Sequence, residues 1–346
     1  MAPENQAGPV MTNAKSISVL TTRLALSFAA SLSTAAPAAA EWTYKALDMP
    51  ATFTSEVGAR LWVAGGKTGK NLFDPAGTTL LSRLNYGDLT VFTGEAFTRF
   101  DFNTGWFVKG YFGAGGLWDG KLKDEDFGLP APFNPYSATL SSIKGSYLAY
   151  GSIDGGFKVL RGPDFHVGAF VGYHFMRQTV SAYGCGQIAD NPLICGTLPV
   201  PDSINVITQT NYWNSLRVGL DAAADFGRWR LSADAAWLPY VRLNGSDAHW
   251  LRIGNGVGDF TGPVPEDGNG WGYQLEATVS YRLNDWVSVG AGARYWHMEA
   301  KGNTHFEGHV VGMAASPQPV NWKTDSLGAF VQTTLKLGPY PLYSRN

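Results

Sequence analysis

The feature that most restricts this chain is strict alternation of apolar and polar side chains in segments too long for ordinary strands and too poor in charge for a soluble surface. In "FHVGAFVGYHFMR", residues 165–177, Phe165, Val167, Ala169, Val171, Tyr173 and Phe175 fall on one face of an extended chain. His166, Gly168, His174 and Met176 fall on the other, with Phe170 and Gly172. Such runs recur along the 346 residues, of which 16% are charged and 13% aromatic, with 42 glycines. A soluble domain carries about 25% charge. Low charge with many aromatics and alternating strands fits a membrane barrel, whose lipid-facing residues alternate with lumen-facing ones. The net charge of −2 argues against a nucleic-acid surface.

Alternation places ten strands near 55–71, 78–100, 106–122, 140–160, 164–183, 205–225, 229–243, 270–283, 286–301 and 324–337. Tight turns at 101–105, 161–164, 225–227 and 283–285 alternate with longer loops near 123–139, 184–204, 244–269 and 302–323. Short turns at one end and long loops at the other mark an antiparallel outer-membrane barrel, and an even strand number fits. The fold expected is all-β: a ten-stranded antiparallel transmembrane β-barrel with long extracellular loops. Ten strands leave an interior filled by side chains, which argues against a porin, since open channels need about 16. Residues 1–40 read as a cleaved signal peptide: Lys15 and Arg23 precede the apolar Leu24–Leu32, and Ala38-Ala39-Ala40 is a cleavage site before Glu41. The start is Met1 or Met11. Residues 41–346 form one domain, with no later stretch approaching the roughly 20 apolar residues of a spanning helix. Cys185 and Cys195, in a loop-like interval of an exported chain, are expected to form a disulfide. His297, Glu299, His305, Glu307 and His309 gather near the last loop, but their spacing matches no regular ligand set, so no metal is expected.

Two short stretches carry chemistry. "GKLKDEDFGL" puts Asp124 and Asp126 on one face at the top of the third predicted strand, with Glu125 on the other. "NGSDAHW" puts Asp247 and His249 at the top of the seventh, where an Asp holds an imidazole in one tautomer and raises its basicity. Both lie at the long-loop end on nonadjacent strands, so they face one another across the mouth. A carboxylate pair opposite an Asp–His pair can hold a water for His249 to deprotonate, while mutual repulsion keeps a proton on the carboxylate pair.

This constellation resembles the omptins, outer-membrane proteases whose ten-stranded barrel carries Asp-x-Asp on the third strand and Asp-x-His on the seventh. "LKDEDF" and "SDAHW" match both patterns, and "GGKTGK", "SRLNYGD" and "VGYHFMR" look like omptin segments in the same order, over most of 55–337. The resemblance implies an aspartic-type endopeptidase of a Gram-negative outer membrane, its site facing outside. Asp124, Asp126, Asp247 and His249 would act on a polypeptide, with no cofactor beyond a requirement for lipopolysaccharide. It also implies a lipopolysaccharide site at Tyr173 and Arg177, where Phe175 replaces the acid of a Tyr-x-Glu-x-Arg stretch. Omptins favour basic residues at the scissile bond through cleft acids. Here Lys70 and Asn71 stand about where one acid is expected, and Gly245 where another is, so the sequence leaves that preference open; Glu125, Asp259, Glu266 and Asp267 are expected to keep the rim acidic, which would still draw in cationic peptides. The alternative is a noncatalytic barrel of the same shape, acting as an adhesin or surface-binding protein.

One conflict is visible in the sequence. Trp106, Val108 and Phe112 put even-numbered residues of the third strand on the lipid side, which would carry Asp124 and Asp126 outside. Trp229, Leu231, Ala233 and Trp237 do the same to Asp247 and His249. Both strands need a change of parity above the membrane, expected at Gly115-Gly116, Gly120, Pro239 or Gly245.

Overall fold

The computed structural model describes residues 52–128, 134–191 and 194–341. The expected signal peptide lies outside them. The strands are β1 (Thr52–Phe73), β2 (Leu80–Phe102), β3 (Trp106–Asp126), β4 (Ser137–Ile143), β5 (Ser146–Arg161), β6 (Phe165–Gln187), β7 (Val200–Phe226), β8 (Trp229–His249), β9 (Val264–Arg282), β10 (Val287–Thr304) and β11 (Gln318–Pro341). Each pairs antiparallel with its neighbours, and β1 pairs with β11, so the sheet closes into a barrel. The fourth expected strand is broken between Ile143 and Ser146, with Gly145 at φ +58°. Its two halves, β4 and β5, both lie between β3 and β6. The barrel therefore has ten staves built from eleven strands.

The outer wall carries the apolar face. Trp106, Phe157, Phe226, Trp229 and Trp286 are exposed near the short-turn end, and Trp118, Tyr173, Tyr212, Trp237 and Tyr240 form a second girdle above them. Trp106 and Trp118 are twelve residues apart on β3. At about 3.3 Å per residue and a ~45° tilt this is roughly 28 Å, close to the apolar band of an outer-membrane barrel. Asp124 lies six residues above Trp118 and His249 nine above Tyr240, so both stand clear of the membrane on the long-loop side.

The lumen is filled. Arg60 and Arg294 each bridge Glu95 and Glu276 at 2.6–3.0 Å. A second layer joins Arg217 to Asp154 and Asp234, Lys109 to Asp234 and Asp221, and Arg99 to Asp221 and Asp101. A cavity of 160 Å³ beside these groups is far too small for a channel. Over the ion pairs, Trp62, Tyr150, Trp213, Trp296, Leu238, Leu243 and Met298 form a buried apolar layer, which separates the lower lumen from the mouth. The disulfide between Cys185 and Cys195 is formed, with the Cα atoms 5.7 Å apart.

Candidate active site at the barrel mouth

The parity conflict is resolved by bulges. On β3, Phe107 and Leu117 are buried in the lumen and Trp118 is exposed, yet Leu122 is buried and Lys121 exposed. Inward residues have switched from odd to even. The switch falls where pairing with β2 jumps from Val91–Leu117 through Thr90–Asp119 to Gly87–Lys121. Gly120 occupies this step at φ +146°, a conformation that glycine tolerates and other residues rarely adopt. On β8, Ala236 and Leu238 point inward, then Val241 and Leu243, because one extra residue around Pro239 is inserted opposite β9. Proline fits at such a bulge because it has no ladder N–H to give. Two of the five residues named from sequence thus sit at the steps that turn Asp124 and Asp126, and Asp247 and His249, toward the lumen axis.

The strands also run further than alternation alone suggested. β3 reaches Asp126, β8 reaches His249, and β9 begins at Val264. The four residues therefore sit on strand ends and not on loops. Glu125 points the other way and pairs on the outer wall with Lys123 at 2.8 Å and Arg83 at 3.7 Å.

Asp247 is the hub of the inward cluster. Its Oδ2 lies 2.9 Å from His249 Nε2 and 2.5 Å from Lys70 Nζ. Its Oδ1 is shielded and has no hydrogen-bond partner among the described residues. Burial alone would raise the Asp247 pKa, but the charges of His249 and Lys70 outweigh it and hold the carboxyl well below its ordinary value. Burial would lower His249; the charge of Asp247 and its hydrogen bond prevail, and the imidazole titrates above its usual value. With Nε2–H donated to Asp247, the basic lone pair is on Nδ1, and the side chain keeps 22% of its surface open.

Facing this pair, burial and then the charge of Asp126 push Asp124 up to about 7, while His249 and Lys70 pull against the shift. Asp124 Oδ1 is shielded and unpartnered among the described residues. Burial also raises Asp126, opposed by Ser82, directly across on β2, and by the charges of His249 and Arg252. All four predicted residues thus form one electrostatic cluster, in which Asp124 holds its proton up to about pH 7 beside an imidazole made more basic by Asp247.

Three participants were missed or misplaced from the sequence. Lys70 was seen only as the absence of an acid, and Glu266 was expected on the rim. Glu266 is 2% exposed, inside the mouth, with Lys70 Nζ 2.6 Å from its Oε1 and Gln209 Nε2 3.0 Å from its Oε2. Tyr86 is fully buried, feels the charges of Asp247, Asp124 and Glu266, and its hydroxyl has no partner among the described residues. Extending the inward parity of Gln274 and Glu276 back along β9 would have found Glu266, had that strand been started early enough.

The other sequence candidates lie elsewhere. Tyr173 and Arg177 project from the outer wall of β6: the Tyr173 hydroxyl donates to Asn214, and the Arg177 guanidinium lies 5.1 Å from the Tyr147 ring and 5.2 Å from that of Tyr212. His305 is paired with Asp267 and Glu307, and His297 with Asp325.

No protein-family model and no curated protein sequence matches the chain. Among solved structures, the outer membrane protease OmpT of Escherichia coli superposes with a TM-score of 0.63 at 12% identity, over 82% of this chain and 96% of that one. The fold is that of an omptin. A FadL homologue from Pseudomonas aeruginosa aligns at 9% identity with a TM-score of 0.28, over 84% of this chain and 90% of that one. The omptin-like barrel thus rests on the likeness to OmpT, and its mouth on the residues described above.

Proposed function

We propose that the protein is an endopeptidase of the outer membrane whose site faces the outside of a Gram-negative cell. The observation that carries this reading is the Asp247–His249 pair facing the Asp124–Asp126 pair within one field of charge, clear of the membrane. The likeness to an outer membrane protease supports it. A water held between the pairs gives its proton to His249 Nδ1 as its oxygen attacks the peptide carbonyl. Asp247 fixes the tautomer and stabilises the imidazolium. Asp124 and Asp126 orient the water, and the proton they share at neutral pH stabilises the developing oxyanion. The imidazolium proton then passes to the leaving amine, so the water is consumed and no proton is gained or lost. Tyr173 and Arg177, outward at the upper girdle, would engage a lipopolysaccharide phosphate and hold the barrel in its active geometry.

The test is cleavage of a broad peptide library by refolded protein with lipopolysaccharide present, wild type against His249→Ala. Removing a positioned general base costs about 10²–10⁴-fold. Cleavage by the wild type and its loss in the variant are expected. Equal cleavage by both would exclude His249 as the base, and no cleavage by either would leave surface binding as the better account of the fold.

A further inference from the structure

Lys70 is an unusual residue to find at the centre of a mouth that would otherwise draw in cations. Its side chain is 4% exposed, and its ammonium sits among Asp247 Oδ2 at 2.5 Å, Glu266 Oε1 at 2.6 Å and Gln209 Oε1 at 3.2 Å, with the Trp322 ring centre 5.1 Å away. Two carboxylates, an amide oxygen and an indole face are the partners that a buried ammonium or guanidinium requires. The cage is itself braced: Glu266 also accepts from Thr304 at 3.1 Å and from Gln209, whose Nε2 is 2.9 Å from Asn211 Oδ1. An ammonium has three hydrogens and here finds three acceptors. The cage shares its Asp247 oxygen with His249, so it adjoins the atoms proposed to carry out hydrolysis.

We infer that this cage is a cation pocket beside the scissile bond which the protein fills with its own Lys70. The cleft consequently takes uncharged side chains where an empty cage would take lysine or arginine. This rests on the proteolytic reading and adds the substrate class to it. A substrate cation entering here would meet a buried like charge, and Asp247 Oδ2, Glu266 Oε1 and Gln209 Oε1 are already taken by Lys70. An uncharged side chain has neither cost. Lys70 is therefore a positioning and specificity residue. Its charge also opposes protonation of His249, so removing it raises the imidazole pKa and moves the acid limb of the pH–rate profile to higher pH.

The experiment uses the full barrel refolded with lipopolysaccharide, as wild type, Lys70→Ala, which empties the cage, and Lys70→Met, which keeps it filled without the charge. Thermal midpoints are measured with butylammonium chloride or with sodium chloride at equal ionic strength, and the same proteins are run against the peptide library. Butylammonium is expected to raise the midpoint of Lys70→Ala and to leave the wild type and Lys70→Met unmoved. The wild type should cleave next to uncharged residues, and Lys70→Ala should gain at least about tenfold at lysine and arginine relative to them, since an unpaired buried charge is a strong discriminator. In Lys70→Ala the acid limb should shift alkaline, and butylammonium should return it. Should Lys70→Ala refold only with the amine, the cage has bound it and the inference stands. Cleavage by the wild type at lysine or arginine as readily as at uncharged residues would overturn the inference, with no variant needed. Amine binding without any cleavage would uphold the pocket and defeat the protease reading; cleavage without amine binding would do the reverse.

Discussion

In the lower lumen two arginines meet two glutamates, and each of Arg60 and Arg294 touches both Glu95 and Glu276. At the mouth four carboxylates, Asp124, Asp126, Asp247 and Glu266, face one buried permanent cation, Lys70, together with His249 and the exposed Arg252. Apart from Arg252, which follows the end of β8, both sets sit on inward strand positions of the same sheet, separated by the apolar layer of Trp62, Trp213, Trp296 and Met298. The balanced set closes the barrel, since each charge taken from water is repaid by two partners. The acidic set leaves oxygens of Asp124 and Asp247 unpartnered among the described residues and a proton held near neutral pH. That imbalance is poor for stability and suited to moving protons, as expected where function is carried by strain against folding.

The largest effect is expected in the lower lumen. Arg294→Met leaves Glu95 and Glu276 with Arg60 alone as their shared cation and should cost about 3–5 kcal/mol, as for other broken buried pairs. Urea unfolding in lipid would measure it. Because the substitution lies below the apolar layer, the pH profile of any activity in the folded fraction should keep its shape; a changed profile would mean that the two charge sets are not separate.

At the mouth, the backbone conformation of Gly120 is the next point of sensitivity. An added Cβ would lie 2.8 Å from Leu89 Cδ2 and 2.9 Å from the Gly87 carbonyl, at a φ that disfavours any side chain. Gly120→Ala should cost about 1–3 kcal/mol. It should also reduce cleavage more than that loss of stability explains, because relaxing the bulge turns Asp124 and Asp126 away from His249. Stability lost with the rate per folded molecule unchanged would show that the bulge does not set the site.

The split between what the sequence revealed and what it hid follows the same division. Alternation located the staves and the short turns, because side-chain parity is a local property of an extended chain. The pairing of "KDED" with "SDAH" needed only strand order and direction. Parity also demanded bulges on the third and seventh staves, and composition narrowed them to residues that include Gly120 and Pro239. What stayed hidden is set across strands. The break at Lys144–Gly145, the onset of β9 at Val264, and the meeting of Lys70 with Glu266 depend on closure and stagger, which fix the partners of an inward side chain only once the barrel exists. Glu266 was expected on the rim because polar residues near a long loop look solvated until the strand is known to begin before them.

The central claim, that the mouth gives up stability for chemistry, is tested most directly by Asp124→Asn followed for unfolding and cleavage together. The Asp124 carboxyl is raised to about 7 in the folded protein from an ordinary 3.8. Between those values the folded chain holds a proton that the unfolded chain has released, so this group makes stability fall as pH rises from about 4 to about 7 and contributes a constant cost above that. Asparagine removes the charge and the cost. The account predicts that at pH 8 Asp124→Asn unfolds later than the wild type, by roughly 1–3 kcal/mol, while cleavage falls by about 10²-fold or more. It also predicts that the stability advantage vanishes near pH 4. A variant less stable than the wild type at pH 8, or equally stable and fully active, would contradict it.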